Sequence, residues 1–227
     1  MSAQEFIKEL KGKGVEGELV RTIFLSLVTS FITFGLYYMY KLRYVDSFAP
    51  KYGFFLFFSI LSYAILMPSI RQVRAYKGFT CMTGMMIGMT VGMMSGFLIG
   101  FYVGATNGMF WGSMFGMGVG IALGMWKGKC CGVMGLMEGL MAGFMGGLMG
   151  AMTAVMMYND HLRASGVVVF IVCGAILLGL SYMLYKETKN EERAHQEDHF
   201  VTIVLSFFLT ILTIWMIVFG PRSVLLQ

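Results

Sequence analysis

Apolar residues fall along this chain in seven long runs, and polar ones gather in the short breaks between them. The runs lie at about Leu19–Tyr40, Tyr52–Ile70, Phe79–Gly104, Met109–Trp126, Cys130–Tyr158, Gly166–Tyr185 and Phe200–Gly220. Each is long enough to cross roughly 30 Å of hydrocarbon, which takes a helix of ~20 residues, the fourth run being the shortest. In lipid every backbone amide must be paired inside its own segment, so runs of this length predict helices. The pattern predicts an all-α, polytopic membrane helix bundle with about seven transmembrane helices. Residues 19–220 make a single transmembrane domain. Residues 1–18 precede it as a cytoplasmic segment, where Phe6, Ile7 and Leu10 stand among charges as in a short amphipathic surface helix. Residues 186–199 form a charged cytoplasmic loop within the domain.

A second period is laid over the third to fifth runs. From Gly84 to Gly132 a glycine stands at every fourth position, thirteen in succession. In water each would cost a helix about 1 kcal/mol relative to alanine. Positions i and i+4 share a helix face, so in lipid the ladder lets a neighbouring backbone approach closely, a glycine zipper. One helix over that stretch would extend roughly 73 Å, more than twice the hydrocarbon thickness. Turns are therefore expected at Ala105-Thr106-Asn107-Gly108 and at Lys127-Gly128-Lys129.

Composition narrows the class. The chain is 57% hydrophobic and 13% charged, with a mean hydropathy of +0.73, which excludes an ordinary soluble domain. Of 17 Lys and Arg residues, twelve lie on the N-terminal side of the membrane, counting Arg21, and five on the other. That excess predicts a cytoplasmic N-terminus and an external C-terminus, most simply in the plasma membrane. The net charge of +5 then reads as topology, and no nucleic-acid partner is expected. The first apolar run shows no small-residue cleavage site, so no cleaved leader is expected. The four cysteines give no secreted disulfide framework. Gly116-x-Gly118-x-Gly120 lies inside a membrane run with no strand before it and is not a phosphate loop. No Ser/His/Asp set or paired carboxylates suggest hydrolysis. The chain is not expected to be an enzyme.

Methionine is the chemical outlier, with 23 residues. On a helical wheel at about 100° per residue, Met134, Met137, Met141, Met145, Met149, Met152 and Met156 fill a stripe about 120° wide along the fifth run. Gly135, Gly139, Gly143, Gly147 and Gly150 fall opposite. Glu138 lies within the methionine stripe and is the only acidic residue in the seven runs. An intramembrane carboxylate is a functional candidate by default; the structural alternative is a protonated or hydrogen-bonded clip between helices. Cys130 and Cys131 stand at the cytoplasmic mouth of the stripe. In the third run Met82, Met85, Met86, Met89 and Met93 share one side, and Cys81 opens that run at the same end.

Thioethers and thiolates select Cu(I) and Ag(I) over hard cations. A ladder of neutral thioethers binds such an ion weakly at many sites, as conduction requires. Thiolates at the exit would hold it more tightly and pass it to a cytoplasmic metal carrier. At the far end Met156 and Met157 meet Asn159-Asp160-His161, a place to collect an arriving ion. The competing reading is packing, because methionine fills irregular gaps and a glycine-pocked surface offers many. Segregation of methionine from glycine favours the metal.

Met141-x-x-x-Met145 in a membrane helix, with Gly-x-x-x-Gly packing elsewhere, is similar to the CTR-type copper transporters. Those trimeric proteins line a pore with paired methionines and pack through small residues. The resemblance implies Cu(I) ligation by Met141 and Met145. It covers these few residues: the chain has about seven spans where that family has three, and it lacks a Met-rich extracellular tail.

Two further places carry ligand-type residues. Glu191, His195 and His199 would stack at i, i+4 and i+8 if their loop were helical, although such charged segments are usually solvated linkers. Cys173 stands alone in the sixth run as a small buried hydrophobe. The expected function is an integral membrane protein that binds or conducts Cu(I) or Ag(I) along Met-lined helices, with a cysteine exit. The alternatives are a glycine-zipper channel or scaffold without metal chemistry, and an assembly factor that hands copper to a membrane oxidase. Expected partners are the lipid bilayer, a second copy through the glycine faces, and the metal carrier.

Overall fold

A computed structural model describes residues 15–40, 48–75, 81–129, 132–188 and 199–221. The described residues form seven helices and no strand: α1 (Val15–Tyr40), α2 (Phe48–Ala75), α3 (Cys81–Asn107), α4 (Met109–Gly128), α5 (Gly132–Met156), α6 (Leu162–Thr188) and α7 (His199–Phe219). All seven are long and apolar enough to cross a membrane. The chain is thus a polytopic helical bundle, as its hydropathy pattern predicts. The amphipathic reading of Gln4–Leu10 and the charged stretch 189–198 lie outside the described residues.

Two expected turns are shorter than the sequence suggests. α3 continues through Asn107 and α4 begins at Met109, so Gly108 alone makes the link. Its φ of 100° lies in the left-handed region, where a side chain is strained and glycine is not. Gly132, with φ 70°, plays the same part where α5 begins. Both belong to the four-residue ladder. Lys127 and Gly128 do not form a turn: α4 runs through them, and Lys127 is buried. Its Nζ donates to Ile70 O at 3.0 Å and lies 4.4 Å over the Trp126 ring. Arg71 is also taken up by its helix. Its Nη1 donates to Thr22 Oγ1 at 2.6 Å and lies 3.2 Å from His199 Nδ1.

The centre of the fold is a three-helix unit whose contacts are almost all glycine. α3 and α4 run antiparallel, α5 runs antiparallel to α4, and α3 and α5 are parallel. Gly92 faces Gly124 and Gly139, Gly96 faces Gly120 and Gly143, and Gly100 faces Gly116 and Gly147. One turn further on, Gly88 meets Gly128 and Gly135; at the other end, Gly104 meets Gly112 and Ala151. Every step of four along one helix is matched by a step of four along the other two. The result is five layers of three small residues. A Cβ on Gly100 would stand 2.7 Å from Gly147 O, and one on Gly120 would stand 2.9 Å from Gly96 Cα. The neighbours are backbone atoms, which cannot rotate away.

α1, α2, α6 and α7 pack round this unit by different chemistry. α2, α3, α6 and α7 share an apolar core that includes Leu56, Leu66, Ile87, Leu177, Leu184 and Ile214. α1 joins through hydroxyls. Ser26 Oγ lies 3.0 Å from Ser206 Oγ, and Thr210 Oγ1 donates to Ser30 Oγ at 3.1 Å. Tyr63 OH donates to Thr213 Oγ1 at 3.2 Å from the α2 side. At the opposite end from Arg71, buried Asn107 Nδ2 donates to Met216 O at 2.7 Å.

Candidate functional site

α5 is divided lengthwise into two chemistries. Gly135, Gly139, Gly143, Gly146, Gly147 and Gly150 are buried against α3 and α4. Met134, Met137, Met141, Met145, Met149, Met152 and Met156 are all exposed on the other side, none below 42%. The division follows from size. Helix axes can approach this closely only where no side chain intervenes, so the thioethers are turned outward. The methionines therefore lie on the surface of the chain and do not line a passage enclosed within it. Lateral grooves of about 220, 260 and 320 Å³ lie elsewhere, lined by residues of α1, α2, α4, α6 and α7.

The third helix contributes at one edge of this face. Gly146 abuts the Met93 backbone and Gly150 abuts that of Phe97. Carried two turns toward Cys81, the same register sets Met89 beside Ala142 and Met85 beside Glu138. Met89 is exposed, Met85 is half-buried, and Cys81 is exposed at the start of α3. Glu138 is half-buried at the α3 side of the methionine face, among thioethers. Cys130 and Cys131 lie outside the described residues, between the end of α4 and the start of α5.

At the far end the chain leaves α5 through a turn at 157–161. His161 there has a φ of 30°, and its Nδ1 is 2.8 Å from Asp160 Oδ1, both side chains fully in the open. Asp160 and His161 thus pair with each other beside Met156 and Met157, which are also exposed. Among the described residues, no three of His, Cys, Asp or Glu cluster as a metal site. A soft-metal site built from these residues would be made chiefly of thioether sulfur. His199 belongs to another part of the fold, held against Arg71, and Cys173 is buried in α6.

Two features escaped the sequence reading. The glycine faces meet one another within the chain and are not free for a second copy, which corrects the expected mode of self-association. The hydroxyl seam of α1 and α7 was legible as spacing: Thr22, Ser26, Ser30 and Thr33 on one helix, Thr202, Ser206, Thr210 and Thr213 on the other, all buried. No protein-family model, curated protein or solved structure matches the chain.

Proposed function

We propose that this multi-pass membrane protein binds or conducts a soft monovalent cation, Cu(I) or Ag(I), along the methionine face of α5, most simply in the plasma membrane. The observation that carries the reading is the division of that helix. Seven methionines share its exposed face while six glycines occupy its buried one. Gap-filling would place methionine where the gaps are, against the glycines; here the thioethers stand away from them. Met85 and Met89 of α3 extend the sulfur surface, Glu138 supplies a carboxyl oxygen, and Cys81 stands at the end where an ion would pass to a carrier; Cys130 and Cys131 follow the last described residue of α4 in the sequence.

The test separates ligand from filler. Leucine matches methionine in size, and such swaps usually cost less than about 1.5 kcal/mol, but leucine offers no lone pair to a soft ion. A Met141→Leu, Met145→Leu, Met149→Leu protein is expected to insert and fold, yet lose Ag(I) binding in detergent. Unchanged binding in the folded variant would refute the proposal. It would favour the second reading, a glycine-zipper channel or assembly scaffold without metal chemistry. The scaffold form of that reading draws on one observation of its own: the methionine face is open to its surroundings.

A further inference from the structure

We infer that the methionine face of α5 is the contact between two copies of this chain, and that the thioether site is completed only in the pair. This rests on the soft-metal reading of the same face. The glycine faces of α3, α4 and α5 are consumed inside the protomer, so the surface that α5 offers to a neighbour is its methionines.

Three observations support a second copy, and the second and third set it apart from lipid. First, the area fits. The seven methionines and Phe144 are each 42–69% exposed, which at ~200 Å² a side chain comes to roughly 800 Å² per copy, the usual contribution of one partner to a stable interface. Second, Glu138 lies in this face, half-buried and with no hydrogen bond or ion pair to any described residue. A carboxylate facing acyl chains is costly and calls for a polar neighbour. Two copies in the same orientation supply one. Lys129 is exposed at the end of α4, beside the Gly128–Gly135 layer and one layer from Gly139. Acid and base thus stand at adjacent levels at the same end of the three-helix unit, and a twofold axis along the membrane normal brings one copy's acid toward the other's base. Third, the ligand count improves. Methionines at i and i+4 on one helix have Cβ atoms about 5–6 Å apart, so a single face presents few sulfurs at any level. In lipid no water completes the shell of the ion. A second face doubles the sulfurs at every turn.

The test uses the full chain in phosphatidylcholine–phosphatidylglycerol vesicles. Met145→Cys, with the native cysteines changed to serine, is expected to form an oxidative dimer at least tenfold more readily than Leu178→Cys, an exposed position on α6. Equal yields from the two would overturn the inference. Subunit counting by photobleaching of the wild-type chain at high dilution in the same vesicles guards against a misfolded cysteine variant. Two steps support the pair, and single steps mean that lipid covers the face. Ag(I) titration distinguishes the two proposals. Single-copy protein that binds Ag(I) as fully as the pair removes the pairing requirement and leaves the metal reading intact. A pair that binds no Ag(I) removes the metal reading and leaves the contact.

Discussion

Gly116 and Gly118 lie two residues apart in α4 and face opposite ways, so alanine at each isolates the effect of the layers. A Cβ on Gly116 would stand 2.7 Å from Gly100 Cα and 2.9 Å from Gly96 O, whereas nothing lies within 4 Å of one on Gly118. Both substitutions gain the same helix propensity, about 1 kcal/mol, and that gain cancels in the comparison. To reach ordinary van der Waals separation, Gly116→Ala must push α4 from α3 by on the order of 0.7 Å. A radial gap of that size forfeits a quarter to a half of each dispersion contact it opens. Because α3, α4 and α5 share their layers, the shift is felt in more than one of them. The expected penalty is that of overpacking, about 1–3 kcal/mol. Gly118→Ala is therefore neutral or mildly stabilising, and Gly116→Ala falls below it by that amount. At ~2–4 °C per kcal/mol for a chain of this size, thermal unfolding in detergent should separate the two variants by roughly 2–12 °C. Equal melting temperatures would mean that the helices are not in backbone contact at Gly116, and the layered packing would have to be abandoned.

Two other outcomes follow from the fold. Ser26→Ala and Ser206→Ala, combined in a double-mutant cycle, should show a coupling of roughly 0.6 kcal/mol, the average for interhelical hydrogen bonds in membranes; a coupling of zero would mean that the 3.0 Å contact holds nothing. An impermeant thiol reagent applied to intact cells should leave Cys81, Cys130 and Cys131 unlabelled while reaching a cysteine introduced at Asp160. Labelling of the first three from outside would invert the topology.

The spans were legible because lipid makes one demand of every residue in a run, and hydropathy reports it directly. Their ends were less so. Lys127 and Arg71 look like loop residues by charge, yet each finds its acceptor on another helix, Ile70 O and Thr22 Oγ1, and sequence alone does not show what a neighbouring helix offers. The glycine ladder revealed a close contact without naming its partner, since a small face fits a second copy as well as the next helix. The single-residue link at Gly108 decides the matter by folding the ladder back on itself. The wheel likewise separated methionine from glycine on α5 without saying which side faces inward. Direction followed from the layers, which a side chain as large as methionine cannot enter.

Where a side chain would begin, each layer glycine carries a second hydrogen instead. On Gly92 that Cα–H is directed toward Gly139 O, on Gly96 toward Gly143 O, and on Gly100 toward Gly147 O. Contacts of this kind contribute about 0.5–1 kcal/mol each. They depend on main-chain geometry and not on the identity of any side group. The middle of the protein is thus cohesive through its peptide backbone. The outward positions of α3, α4 and α5 are correspondingly released from any duty in holding the unit together and are free to carry whatever chemistry the surface requires.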